Sequence, residues 1–124
     1  MDPALDRLRN DEEGEAYVQT ALSYASGQPV VIRVRRRGDG YDIDDDGTAV
    51  RIAGQPRGWR ESAEGLALAH GMNISNGGVV SVPAVEGRDL DALVLSVADT
   101  SLSLYLALVE SDLSVGFDSD TSVE

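Results

Sequence analysis

PVVIRVRRRGDGYDIDDDGTAVRIA, residues 29–53, is the stretch that decides how this chain folds. Val30, Ile32 and Val34 alternate with Val31, Arg33 and Arg35, and a period of two puts the first set on one face of a strand. Asp39-Gly40 suits a two-residue type I′ turn, in which both central residues take positive φ. The segment is therefore expected to form a β-hairpin. With that turn, Arg37 stands opposite Asp42 and Arg35 opposite Asp44, and opposite charges across a strand pair contribute about 0.2–1 kcal/mol each. Val34, Tyr41 and Ile43 take the core side. Asp46-Gly47 marks a second turn or bulge, after which Thr48, Val50 and Ile52 read as further strand.

Upstream, Asp2-Pro3 has the form of a helix cap and first helical residue, and Asn10 with Glu13 resembles a capping box. Tyr17, Val18, Ala21, Leu22 and Ala25 then recur at helical spacing, and Gly27 is placed to end that helix. Downstream, residues 54–58 form a loop. Trp59, Ala63, Leu66, Ala67 and His70 share one face of a second helix that Gly71 ends. Residues 73–78 are a turn, and VVSVPAV, residues 79–85, is a short strand that Pro83 makes an edge or terminates. Asp89 caps a third helix, from about Leu90 to Val109. One of its stripes is Leu90, Leu93, Val94, Val97, Ser101, Leu104 and Leu108; a second is Leu95, Leu102, Leu106 and Val109. One stripe suffices to face a small sheet, so the second meets either the first helix or a second subunit. The expected fold is α+β, in the order α-β-β(-β)-α-β-α: a small antiparallel sheet packed by about three helices. It makes a single domain over residues 1–109, followed by an acidic flexible tail over 110–124.

The 124 residues carry 22 acids against 10 bases, a net charge of −12, and every base is arginine. Direct nucleic-acid binding is disfavoured because phosphates are repelled, while a basic protein partner is favoured. The charge is uneven. Residues 28–60 hold seven of the arginines against five aspartates, a basic island on an acidic protein. No unbroken apolar run approaches the ~18 residues of a membrane span, and no membrane association is expected. The acidic N-terminus lacks the apolar core of a signal peptide, which makes the cytoplasm the expected location. The absence of cysteine excludes disulfides, thiolate nucleophiles and cysteine-ligated metal.

The sharpest candidate for chemistry is the aspartate cluster. Asp42, Asp44, Asp46 and Gly47 match the first half of a calcium loop, D-x-D-x-D-G. The bidentate glutamate expected at loop position twelve is replaced by Ala53, and the preceding segment reads as strand where that motif needs helix. Neutralisation by Arg35 and Arg37 within an Asp-Gly turn accounts for the same residues. His70, the single histidine, sits at a helix C-terminus where imidazolium complements the dipole; no catalytic triad can be built around it. No phosphate loop, metal-binding spacing or carboxylate pair stands out, so neither a cofactor nor an enzymatic reaction is expected. Arg33, Arg35 and Arg37 share a strand face and could grip carboxylate or phosphate, or pair internally with Asp42 and Asp44.

The run VVIRVRRRGDGYDIDDDGTAV, followed by Arg60, LALAHGMNI and a strand leading to a helix, resembles an uncharacterised family of bacterial, archaeal and phage genomes. This is the domain-of-unknown-function family eighteen-twenty-eight, whose signature is a strand, a turn and a threonine-Asp-Asp-Gly hairpin element. Asp45-Asp46-Gly47 matches that core, with Asp44 in the threonine's place, and the similarity covers about residues 28–108. The resemblance implies a fold neighbourhood and a mobile-element context; it transfers no catalytic residues. Two functions of different classes fit the whole. One is a protein-binding domain, adaptor, chaperone-like or regulatory. It is expected to be homodimeric, with Leu95, Leu102 and Leu106 on the interacting helix and Arg33, Arg35 and Arg37 as a second candidate surface. The alternative is an acidic mimic of nucleic-acid phosphates, of the anti-defence type.

Overall fold

The expected hairpin is present at the centre of a five-stranded antiparallel sheet. The computed structural model describes the backbone of residues 13–123 and the side chains of residues 14–110. The strands are β1 (Glu13–Ser23), β2 (Pro29–Arg37), β3 (Gly40–Asp44), β4 (Asn73–Ile74) and β5 (Val80–Val85), in the spatial order β1-β2-β3-β5-β4. The helices are α1 (Thr48–Ala53), α2 (Trp59–Ala69) and α3 (Leu90–Val123), the last entered through a 3-10 turn at Gly87–Asp89. The class is α+β, as read from the sequence, but the order is β-β-β-α-α-β-β-α.

Three elements differ from the expected ones: residues 13–23, residues 48–53, and Asn73–Ile74, which form the short strand β4 at the start of the segment expected to be a turn. Residues 13–23 are a strand, where helical spacing had been read. Their register sets Glu13 opposite Arg37 and Glu15 opposite Arg35, so the hairpin gains a third strand and the arginines gain acids to face. The proposed caps at Asp2-Pro3 and Asn10 lie outside the described residues. Residues 48–53 are a one-turn-and-a-half helix, where alternation had read as strand. Asp46 (φ 57) and Gly47 (φ 72) both turn the chain left-handed and end β3 before it can continue.

The hairpin register is shifted by two residues from the one expected. Arg37 pairs with Gly40, Arg35 with Asp42 and Arg33 with Asp44. The turn is Gly38-Asp39, with positive φ at Gly38 alone, which matches the glycine-first type II′ pattern rather than type I′. A slip of two leaves every side chain on its own face. Val34, Tyr41 and Ile43 are therefore buried as expected, and the ion pairs Arg37–Asp42 (2.7 Å) and Arg35–Asp44 (3.5 Å) form as diagonals.

One sheet face carries the core: Ala16 and Val18 of β1, Val30, Ile32 and Val34 of β2, Tyr41 and Ile43 of β3. Leu90, Val94, Val97, Ala98, Leu104 and Leu108 of α3 are buried in the same cluster. The first of the two stripes read in the sequence is thus the core stripe. Within Gly87–Glu110 an eighteen-residue segment reaches a mean hydropathy of 1.8, long and apolar enough to cross a bilayer; Asp99 and several hydroxyls hide this from a search for unbroken apolar runs. Here it is the helix that closes the core. The backbone of α3 continues through the acidic segment read as a tail, as far as Val123. β5 lies inside the sheet, between β3 and β4. Pro83 is accommodated by an extra residue in β5 between the Ile43–Val82 and Tyr41–Val85 pairs, with Ala84 at φ 56.

Candidate functional site

The four consecutive residues Asp44, Asp45, Asp46 and Gly47 form the junction between sheet and helices, and each aspartate does a different job. Asp44 ends β3. Its Oδ1 accepts the Asp46 N–H at 2.8 Å, and its carboxylate takes the Arg33 Nε–H at 3.0 and 3.2 Å. Asp46 follows in the left-handed region; its carboxylate lies 3.2 Å from Arg33 Nη1, and its carbonyl accepts a hydrogen bond from Arg51. Asp42, one pair further from the junction, accepts the Ala84 N–H at 3.1 Å and so closes the bulge in β5, while pairing with Arg37.

Asp45 is the residue the sequence reading missed. It is wholly buried. Its Oδ1 accepts the backbone N–H groups of Gly47 and Val80, both at 2.9 Å, and its Oδ2 accepts the Ser101 hydroxyl at 2.6 Å. The Ser101 Oγ lies 2.8 Å from the hydroxyl of Tyr24, whose ring packs edge-on against Tyr105 at 5.1 Å. With Ser101 donating to the carboxylate, Tyr24 donates to Ser101. One carboxylate thus ties the β3–α1 turn, strand β5, helix α3 and the β1–β2 connection together. A signal was available. Ser101 is the one polar residue in the apolar stripe Leu90–Leu108, and a buried hydroxyl at such a position needs a partner.

Burial raises the Asp45 carboxyl above its ordinary 3.8, against the lowering effect of the bonds from Ser101, Gly47 and Val80. Burial likewise raises the Tyr24 phenol above 10, and the Asp45 carboxylate adds to that. A carboxyl raised in the folded state binds its proton more tightly there than when unfolded. Its contribution to stability is therefore greatest below about 3.8 and is lost as pH rises through the raised folded value. Measured by urea unfolding from acid to neutral pH, wild type is expected to lose ground against Asp45→Asn across that window and to run parallel to it above. Parallel curves throughout would show that Asp45 does not titrate abnormally.

The candidate calcium ligands do not converge. Asp42 is turned to Arg37 and Ala84, Asp44 to Arg33 and Asp46, and Asp46 to Arg33. Among the described residues no group of three acidic or imidazole side chains is placed to hold a metal ion. His70 ends α2, and its Nδ1 lies 3.1 Å from the buried Thr100 Oγ1. Thr100 donates to the Ser96 carbonyl at 2.8 Å, so His70 is the donor in their bond and serves to fasten α2 to α3.

Arg33, Arg35 and Arg37 are brought together, as expected, on the sheet face opposite the core. They stand there with Glu15, Asp42 and Asp44 as partners. A depression of about 520 Å³ beside them is lined by Gly14, Glu15, Arg35, Arg36, Arg37 and Gly38. A second, of about 590 Å³, lies between the aspartate turn, α1 and the 75–79 turn. Of the outer stripe of α3, Leu95 is 58 % exposed and Leu106 45 %, while Leu102 and Val109 are partly covered by packing on the core. The chain matches no family model, no curated protein and no solved structure. The likeness to the uncharacterised family therefore has no support beyond the stretches of residues 28–108 on which it was read.

Proposed function

We propose that the chain is a small acidic protein-binding domain of adaptor type, homodimeric and without a reaction of its own, that presents the outer stripe of α3 to a partner. One contrast carries this reading. The aspartates and the arginine row singled out in the sequence are engaged with one another or with the backbone and the histidine with Thr100, whereas Leu95 and Leu106 stand in water on the helix that closes the core. They are eleven residues apart, about three turns, and Leu102 lies between them on the same side. Asp99 and Glu110 are exposed beside the stripe. An apolar strip with an acidic rim complements a basic amphipathic segment, whose leucine-type anchors fill the strip while its arginines or lysines meet the rim.

The test is capture from host lysate by wild type and by Leu95→Glu/Leu106→Glu, at low and physiological salt. Both leucines are exposed, so the double variant is expected to fold. It should lose the partner by at least tenfold, while wild type retains it at physiological salt. A partner retained by the double variant and released steeply by salt would overturn the stripe and point to the bare charge, as a phosphate mimic requires.

A further inference from the structure

The geometry points to β1 as the surface through which two copies of this chain join, edge to edge, into one continuous ten-stranded sheet. This rests on the homodimeric reading above and says where the copies meet, leaving the stripe of α3 to the partner.

Among the described residues β1 is an edge of the sheet, and at eleven residues it is far longer than the opposite edge, β4, which has two. The register shows which of its backbone groups are spent. The hairpin closes on the Arg37–Gly40 pair, so the odd-numbered residues of β2 exchange hydrogen bonds with β3 and the even-numbered ones with β1. Arg36, Val34 and Ile32 face Gly14, Ala16 and Val18, and these three are bonded inward. Glu15, Tyr17 and Gln19 therefore direct their N–H and C=O groups outward, away from β2. Long edges are normally blunted by charged side chains, lysine above all, by proline or by a bulge. Between Glu13 and Gln19 there is no lysine, proline or bulge, and the charges, Glu13 and Glu15, lie at one end of the run; the irregularity in β1 begins only beyond Gln19. Tyr17, at the centre of this run, is 54 % exposed.

A second copy fits because the sequence of the edge is complementary to itself. Two antiparallel copies related by a two-fold axis at Tyr17 match their outward groups. Tyr17 then stands opposite Tyr17, and Glu15 opposite Gln19. Each two-residue slip towards the N-terminus brings the glutamates together, first diagonally and then with Glu15 directly opposite Glu15. Slips the other way run into the irregular stretch, where the Thr20 side chain takes the Val30 carbonyl. Charge on one side and backbone geometry on the other thus select one closed, two-fold register.

The experiment uses the full chain. Light scattering across a concentration series gives the mass of wild type, Gln19→Lys and Gln19→Glu. Since the chain lacks cysteine, Tyr17→Cys and, separately, Leu95→Cys supply a single thiol for oxidative cross-linking. Opposed residues at the axis lie about 5.5 Å apart, within disulfide reach. The expected result is a wild-type dimer that Gln19→Lys tightens and Gln19→Glu loosens, by roughly two- to fivefold each way, because residue 19 faces Glu15 of the second copy. Tyr17→Cys should cross-link and Leu95→Cys should not. A dimer that cross-links through Leu95→Cys and ignores both charges at residue 19 would overturn the β1 interface while leaving the homodimeric reading intact. A monomer at every concentration would overturn both.

Discussion

Asp45→Ala is expected to destabilise the protein by about 3–5 kcal/mol, whereas Asp45→Asn should stay within about 1 kcal/mol of wild type at neutral pH. Alanine leaves the N–H groups of Gly47 and Val80 buried without an acceptor, and such orphaned donors cost about 1–3 kcal/mol each. It also removes the acceptor of the Ser101 hydroxyl. Relief from burying a charge offsets part of this, so the sum is put at the lower end of what the separate losses allow. Asparagine differs in kind. Its Oδ1 still accepts both backbone N–H groups, and its Nδ2 can donate to Ser101 Oγ, which still accepts from Tyr24 while its own O–H turns to the carbonyl one helical turn back. Every member of the chain keeps a partner. Urea unfolding of the two variants decides the matter. An alanine variant within 1 kcal/mol of wild type would show that Asp45 is not the anchor between the β3–α1 turn and α3. With a total stability on the order of 5–15 kcal/mol, the expected loss is a large share of it.

That anchor marks the limit of what could be read from residues alone. The strand alternation of Val30, Ile32 and Val34 and the core stripe of α3 were legible because one-sided burial imposes their periods directly. The hairpin register was not, because a period of two is blind to a slip of two. Arg35 faces an aspartate either way, and only the choice between Gly38-Asp39 and Asp39-Gly40 as turn separates the registers. Residues 13–23 satisfy both periods: Tyr17, Val18 and Ala21 suit a helix, and Ala16 with Val18 suits a strand. What decides is distant in sequence, the β2 edge with its arginines opposite Glu13 and Glu15. Thr48, Val50 and Ile52 were read as strand on β-branched alternation. Six residues are too few for periodicity to outweigh the left-handed turn before them and the packing of α1 against α3. Arg33, Arg35 and Arg37 were placed on their common face, yet their neutralisation by Asp42 and Asp44 shows them holding the sheet together as much as offering it to a ligand. Asp45 stood out least, being one aspartate among three, although its two neighbours face Arg33 and it alone is turned into the core.

Gly78→Ala is expected to cost about 2–4 kcal/mol, a large effect for one methyl group on a turn. Gly78 sits at φ 88, where an L-residue is strained by roughly 1 kcal/mol or more. A Cβ there would come within 2.8 Å of Val50 Cγ2, 2.9 Å of Val50 Cβ and 3.1 Å of Val50 Cγ1. Val50 cannot retreat, since it is buried under the turn as one of the few core side chains of α1. Forcing a methyl into a filled site adds typically 1–3 kcal/mol to the backbone strain. The two causes can be separated. Val50→Ala removes two of the three close atoms, so Gly78→Ala should cost less in that background than in wild type, by about 1 kcal/mol or more, and the remainder is the price of the positive φ. Additive losses in the double variant would show that Gly78 is required for its backbone alone. A shortfall from additivity places Gly78 and Val50 in direct contact. The 75–79 turn would then be a fixed wall of the depression beside Asp46 and Arg51, its shape set by the packing of α1.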